Sequence, residues 1–204
     1  MRIHGIDFTS RPSRRKPITC LACILENATL RAGELEEFHT FDQFESMLQR
    51  PGPWVAGIDF PFGQARRFVE TIGWPNTWAG YVDHVASLDR EKFRSKLDEY
   101  RAPRASGDKE HRRERISPRD RSAHKNSYGT PVGLMFFEGA PRLQQAGLMI
   151  PGLQHGDPGR IVVEAYPGVM ARRLIGRRGY KNDTKRKQTP AARRPSRAVV
   201  DDHP

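Results

Sequence analysis

Two carboxylates recur in the same sequence context. The sequence Gly-Ile-Asp-Phe occurs at residues 5–8 and again at residues 57–60, with Asp7 and Asp59 in equivalent places. Side chains alternate along a strand, so each aspartate shares a face with the glycine two residues before it, which leaves open space. Two such strands side by side would place the carboxylates about 5 Å apart. Strands often end in Asp because Asp favours turns, but the repetition favours a pair of anions holding a divalent cation.

A third carboxylate lies in an apolar stretch. Glu164 stands between Val163 and Ala165, where an unpaired charge would be costly. On adjacent strands, Asp7, Asp59 and Glu164 would form a set of hard oxygen ligands suited to Mg²⁺ or Mn²⁺. Two such ions about 3.5–4 Å apart would clamp the attacking and leaving oxygens of a phosphodiester. These three acids are therefore the predicted metal ligands and catalytic residues of a nuclease.

The charge balance favours a polyanionic partner. The chain carries 35 Lys and Arg against 24 Asp and Glu, a net charge of +11 with a pI near 10.2, which favours nucleic acid over an anionic membrane. Two segments hold much of the excess: residues 101–127, which are predicted to form an exposed loop, and residues 172–204. A plain solvated loop explains the first segment equally well. The predicted nucleic-acid-binding residues are Arg172, Arg173, Arg177, Arg178 and Lys181.

The remaining composition indicates a cytosolic protein. No stretch approaches the roughly 18 continuous apolar residues of a membrane span, and the N-terminus enters a predicted strand at once, without room for a signal peptide. Cys20 and Cys23 are the two cysteines. No second pair completes a zinc site, so they are predicted to be free, buried, structural thiols.

The helices and strands that position the acids can be predicted from hydrophobic periodicity and from the residues that start and end such elements. Strands are predicted at residues 2–8, 18–26, 29–38, 54–60 and 160–167. The first predicted helix begins at the N-cap Thr40 and stops at Pro51, and the second begins after Gly63. Further helices are predicted from Ser87 or Asp89 to Tyr100, over residues 131–147 with a break at Gly-Ala-Pro, and from Gly168 to Leu174. Residues 148–160 are predicted to be loop. Three strands joined by short turns, a helix and a strand that can run parallel to the first indicate an α/β or α+β sheet.

Five separated motifs resemble one family, domain of unknown function 429. They are Gly-Ile-Asp-Phe-Thr-Ser at 5–10, Gly-Ile-Asp-Phe-Pro-Phe-Gly at 57–63, Thr-Pro-Val-Gly-Leu-Met-Phe-Phe-Glu-Gly-Ala-Pro at 130–141, Val-Glu-Ala-Tyr-Pro-Gly at 163–168 and Gly-Tyr-Lys-Asn-Asp at 179–183. The resemblance extends to about Pro190. It implies a predicted nuclease with a ribonuclease H-like fold, a five-stranded mixed sheet flanked by helices, and a divalent metal cofactor. It also implies that Asp7 lies on the first strand, that Asp59 ends the fourth, and that Glu164 joins them.

The same resemblance suggests the domain organisation. Residues 1–190 would form the ribonuclease H-like domain, with an insertion over about 73–159, and residues 191–204 would be a basic, disordered tail. Members of the family continue into a C-terminal helix that adds a further acid and covers the sheet. Asp201 and Asp202 lack apolar periodicity around them, so we hypothesise a chain truncated or frameshifted near residue 191 with an incomplete metal site.

Two alternatives remain open. The first is a basic nucleic-acid-binding protein on the same fold that has lost catalysis. The second is a nucleotide-binding protein of the actin-like or sugar-kinase type, because Gly-Ile-Asp-Phe-Thr-Ser echoes their first phosphate-binding motif. The echo lacks the glycine after the acid that lets backbone approach phosphate, and the chain is short for a two-domain kinase. The choice between DNA and RNA, the mode of cleavage and the oligomeric state stay open.

Overall fold

A mixed six-stranded sheet organises the chain. In the computed structural model, which describes residues 1–103 and 130–167, the strand order is β3-β2-β1-β4-β6-β5. The strands are β1 (Arg2–Asp7), β2 (Ile18–Glu26), β3 (Thr29–Phe38), β4 (Trp54–Ile58), β5 (Leu148–Met149) and β6 (Asp157–Glu164). The first three pair antiparallel, whereas β4, β6 and β5 run parallel to β1. This is the predicted α/β class, and β4 lies in the middle of the sheet between β1 and β6.

The sheet differs from the prediction in one strand and in several strand ends. Five strands were expected, and the sixth, β5, falls inside the predicted loop 148–160. Two residues are too few to show strand periodicity, so no sequence signal marks this strand. The last strand, β6, starts at Asp157 rather than at residue 160, and β4 ends at Ile58 rather than at residue 60.

The described residues form five helices. They are α1 (Phe41–Leu48), α2 (Arg66–Thr71), α3 (Trp78–Ala86), α4 (Arg90–Arg101) and α5 (Thr130–Gln145). The predicted capping of α1 is confirmed, because Thr40 Oγ1 accepts from the Gln43 amide at 3.3 Å. Of the two candidate caps for α4, Asp89 is the one used, and it accepts from the Lys92 amide at 2.7 Å.

The predicted break in α5 does not occur. The helix runs from Thr130 to Gln145 straight through Gly139 and Pro141. Glycine and proline both disfavour a helix interior. Here Phe136, Ala140 and Leu143 are fully buried in the core, and tertiary packing of this apolar face outweighs the local propensities.

The core lies between the sheet and the helices, and it is rich in aromatic side chains. Trp54, Phe44, Phe60, Phe68 and Phe136 are almost completely buried. Trp74 and Trp78 are packing groups: the Trp74 ring lies within 6.0 Å of four other aromatic rings, and Trp78 is 5% exposed.

Several predictions fall on residues that the structure does not describe. They concern most of the basic loop 101–127, the helix Gly168–Leu174 and the tail 191–204. The chain divides into two compact units, Met1–Ala165 and Tyr166–Pro204; Tyr166 and Pro167 are the described residues of the second. In the described ranges, no helix has the length and apolar character needed to cross a membrane.

Candidate functional site

Asp7 and Asp59 lie at the carboxyl ends of neighbouring parallel strands. The β1–β4 register pairs Gly5 with Gly57 and Ile6 with Ile58. The amide of Asp59 then donates to the carbonyl oxygen of Ile6 at 2.9 Å, which is the bond that continues the parallel register and sets Asp59 opposite Asp7. Neighbouring strands lie about 4.8 Å apart. The prediction that the two Gly-Ile-Asp-Phe stretches run side by side is therefore confirmed.

Both aspartates belong to the face of the sheet away from the core. Along β4 the side chains of Trp54, Ala56 and Ile58 are buried, and Asp59 follows in the alternate position. In β1 Ile6 is 3% exposed, whereas Gly5 and Asp7 are exposed. Because successive side chains point to opposite faces, the two carboxylates share the less buried face.

The glycine two residues before each acid leaves space in one strand and close contact in the other. A Cβ built on Gly5 would meet no described atom within 4 Å. A Cβ built on Gly57 would lie 3.1 Å from the Cβ of Ala165. Among the described atoms, none fills the place beside Gly5, whereas the methyl group of Ala165 fills the corresponding place beside Gly57.

Glu164 ends the next strand at the same edge, but its side chain leaves the strand on the other face. The β4–β6 register pairs Glu164 with Ile58, and Val163 with Gly57. Glu164 therefore shares a face with the buried Ile58, and Glu164 Oε2 accepts from the amide of Phe62 at 3.0 Å. The Phe62 carbonyl in turn accepts from Trp78 Nε1 at 2.6 Å. Glu164 and Trp78 together hold the turn that follows Asp59.

The oxygen donors of the two aspartates are of the type that hard cations prefer, but in the described residues they are two candidate ligands rather than a cage. Within residues 1–103 and 130–167, no three His, Cys, Asp or Glu side chains gather closely enough to hold a metal. Mg²⁺ in enzymes is often bound by one or two carboxylates, with water and substrate phosphate completing the octahedron. The Asp7–Asp59 pair fits that pattern, and the role of Glu164 as a third ligand stays a prediction.

Two further polar residues lie in the same row and were not singled out from the sequence. Thr19 of β2 lies opposite Asp7, and Glu37 of β3 lies opposite Thr19. Paired residues on neighbouring strands share a face. A row of side chains from Asp59 to Glu37 therefore crosses four strands. The sequence showed only the alternation of side chains within each strand. Which residues align across strands depends on the register, which is a property of the tertiary structure.

A network of partly buried charged side chains was also not predicted from the sequence. Arg90 donates to the Ser10 carbonyl at 3.0 Å and forms a short ion pair with Glu138. Glu138 Oε2 also accepts from Arg142 at 3.0 Å, and Arg142 Nε lies 2.8 Å from a carboxylate oxygen of Glu45. The signal for Glu138 was visible, since this acid sits among the apolar residues of α5.

The two cysteines are free, buried thiols, as predicted. Cys20 pairs with Ile6 and Cys23 with Ile3, so the two side chains project from opposite faces of β2. Burial raises the pKa of the Cys20 thiol to about 12, with a smaller contribution from Glu36. A protonated thiol is a poor nucleophile and metal ligand, so Cys20 has a structural role.

Near Cys20, the carboxylate of Glu36 receives two hydrogen bonds from Arg50, at 2.7 and 2.6 Å. This contact with Arg50 is the main reason that the pKa of Glu36 lies below its ordinary value. The buried ring of His4 lies 3.6 Å from the Cys20 sulfur, and burial lowers the pKa of His4. This second polar cluster joins side chains of β1, β2 and β3 with Arg50, which follows α1.

The predicted nucleic-acid-binding residues, Arg172, Arg173, Arg177, Arg178 and Lys181, lie outside the described residues. Comparisons of the chain with protein-family models, with characterised proteins and with solved structures gave no match. The candidate site is accordingly defined by geometry alone: two aspartates at the ends of adjacent parallel strands on one face of the sheet.

Proposed function

We propose that this protein is a divalent-metal-dependent nuclease with a ribonuclease H-like fold. The observation that carries the proposal is the alignment of Asp7 and Asp59 at the ends of two parallel strands. Two carboxylates on one face, with no described atom within 4 Å of a Cβ placed on Gly5, suit one Mg²⁺ or Mn²⁺ ion. The sheet supports the fold assignment, because three antiparallel strands come before a strand parallel to the first.

In this proposal Asp7 and Asp59 bind the metal, and Glu164 supports the site from the adjoining strand. A bound Mg²⁺ would polarise a water molecule and stabilise charge on the phosphodiester oxygens. The backbone register between β1 and β4 fixes the positions of Asp7 and Asp59 in the site. Glu164 orders the turn after Asp59 through its bond to the Phe62 amide. Its direct role as a third ligand stays a prediction, because its side chain leaves β6 on the opposite face.

The direct test is cleavage of labelled nucleic acid. Single-stranded, duplex, hybrid and branched substrates are incubated with Mg²⁺ or Mn²⁺ and with the wild-type protein, Asp7→Asn or Asp83→Asn. Asp83 is an exposed carboxylate on α3 and serves as the matched control. We expect Asp7→Asn to lose at least about a hundredfold in rate, since even changes behind a metal ligand cost 10–100-fold, and Asp83→Asn to keep full activity. Cleavage that survives Asp7→Asn would place the activity elsewhere or in a contaminant.

A second candidate, a nucleic-acid-binding protein without catalysis, is favoured by two observations. The described acids do not gather into a group of three. The charge is also unevenly distributed: residues 104–129 and 168–204 carry nineteen Lys and Arg against seven Asp and Glu, whereas the described residues carry sixteen against seventeen. Such separation favours phosphate contacts from the basic segments alone. Salt-dependent binding to the same substrates, with no metal-dependent cleavage, would support this second candidate over the first.

A further inference from the structure

The turn that follows Asp7 is fixed by a side chain from a distant helix. After Asp7 the chain continues through Phe8 and Thr9, which are 3% and 6% exposed. Ser10 comes next, and Arg90 at the start of α4 holds it with two hydrogen bonds. One bond runs from Nη1 to the Ser10 carbonyl at 3.0 Å, and the other runs from Nη2 to the Ser10 hydroxyl at 3.3 Å.

Arg90 is itself held in place by a carboxylate. The same Nη1 that donates to Ser10 donates to Glu138 Oε1 on α5, and the Arg90 and Glu138 side chains are only 25% and 14% exposed. Arg142 binds the second oxygen of Glu138. The planar guanidinium of arginine presents several donors in a rigid fork, so Arg90 can hold a carbonyl, a hydroxyl and a carboxylate at once. A lysine offers no such fork.

The two aspartates therefore stand before turns that are fixed in comparable ways. Glu164 and Trp78 bind the amide and the carbonyl group of Phe62 after Asp59, and Arg90 binds the Ser10 carbonyl and hydroxyl groups after Asp7. We infer that Arg90 is a positioning residue for Asp7, which acts by fixing the backbone at Ser10, three residues after that carboxylate. The inference rests on the proposed function, because it assumes that Asp7 and Asp59 form the metal site.

The ion pairs around Arg90 allow its positioning role to be tested in a variant that still folds. When Arg90 is removed, Glu138 keeps its ion pair with Arg142, so no buried carboxylate is left without a cation. Removal of Glu138 would instead leave the partly buried Arg90 without its carboxylate partner, whereas Arg142 would keep Glu45. Arg90→Met is therefore the informative variant, since methionine keeps much of the apolar stem.

The matched control is Arg50→Met. Arg50 forms a similar partly buried pair with Glu36, at 2.6 Å, but it has no contact with Ser10. Arg90→Lys is the conservative variant, which restores a charge without the fork. All four proteins, including the wild type, are compared in the full-length chain.

Two measurements test the inference. Amide hydrogen exchange of residues 8–11 reports whether the turn is held, and titration with Mn²⁺ alone reports the affinity of the Asp7–Asp59 site. We expect Arg90→Met to increase exchange in the turn at least about tenfold and to lower Mn²⁺ affinity by about 10–100-fold, with partial recovery in Arg90→Lys. Arg50→Met should leave both unchanged relative to the wild type.

The outcomes separate the inference from the proposed function. Unchanged exchange of the turn in Arg90→Met would overturn the positioning role, whatever the metal result. Faster exchange with unchanged Mn²⁺ affinity would also overturn it, because the turn would then be irrelevant to Asp7 as a ligand. A wild-type protein that binds no Mn²⁺ would refute the metal site and the inference resting on it, while the exchange data would still show whether Arg90 holds the turn.

Discussion

Asp59 lies opposite Asp7 because its amide donates to the carbonyl of Ile6 at 2.9 Å, one residue beyond the last paired positions of β1 and β4. The two chain segments are 52 residues apart in sequence, yet a backbone hydrogen bond fixes the two aspartates at neighbouring positions of the sheet. The relationship depends on register rather than on side-chain flexibility. A shift of one residue would move either carboxylate to the buried face.

The first prediction concerns metal binding at this pair. With Mn²⁺ at about one hundred times its dissociation constant, ligand binding should stabilise the wild-type protein by about 2.7 kcal/mol, or about 5–10 °C in Tm. Asp59→Asn should abolish this increase, because it removes one of the two carboxylates. Thermal unfolding followed by circular dichroism, with and without Mn²⁺, measures the effect. Asp83→Asn should keep the full increase, and an equal increase in Asp59→Asn would exclude Asp59 as a ligand.

The second prediction concerns the Glu36–Arg50 pair. The pKa of Glu36 is lowered in the folded protein, chiefly by its hydrogen bonds from Arg50. A carboxyl group with a lowered folded pKa stabilises the protein above its unfolded pKa, about 4.3, and loses that contribution as the pH falls through the folded value.

Glu36→Gln should therefore reduce the free energy of unfolding by about 1 kcal/mol at pH 7, a modest value because Arg50 is 41% exposed. The difference from wild type should shrink as the pH falls from 5 to 3. Urea unfolding at a series of pH values measures both. A difference that stays constant down to pH 3 would show that packing, rather than ionisation, accounts for the effect.

The third prediction concerns the reactivity of Cys20. With a pKa of about 12, about one thiol in ten thousand is ionised at pH 8, and the side chain is completely buried. Iodoacetamide should therefore modify Cys20 only on the timescale of unfolding. The Cys23→Ala variant isolates this thiol for mass spectrometry, and the same reaction in 8 M urea is the reference. Rapid labelling of the native protein would contradict a structural role.

A fourth prediction concerns the contact of α5 with the residue after Asp59. Alanine normally stabilises a helix interior by about 1 kcal/mol relative to glycine. At Gly139, however, an added Cβ would lie 2.7 Å from Cε2 of the buried Phe60 ring. Gly139→Ala should instead destabilise the protein by about 1–3 kcal/mol through overpacking, as measured by urea unfolding.

Gly5→Ala is the control for that measurement, since no described atom lies within 4 Å of the added methyl group. Its free energy of unfolding should stay within about 0.5 kcal/mol of the wild-type value. If Gly139→Ala were as stable as Gly5→Ala, α5 would have to move away from Phe60 without cost. The contact between α5 and the turn after Asp59 would then be loose.

Local sequence signals predicted most of the elements. Thr40 and Asp89 mark the starts of α1 and α4 because a side-chain oxygen satisfies a free amide of the first turn, a contact within three residues. Asn27 and Ala28 form the predicted turn between β2 and β3, both with positive φ. The failures also have physical causes. Packing of α5 outweighed Gly139 and Pro141, and two-residue β5 is too short for a periodic pattern.

What the sequence alone determined about the candidate site is the pair of repeated aspartates, because an acid that ends an apolar strand is visible in a few residues. Which acids share a face was decided only by the tertiary structure. Strand register aligned Asp7 with Asp59 and turned Glu164 toward the Phe62 amide, since one residue of register decides the face of every side chain. The bond from Arg90 to Ser10 spans 80 residues. Such long-range contacts form only when the helices pack on the sheet, so no local pattern predicts them.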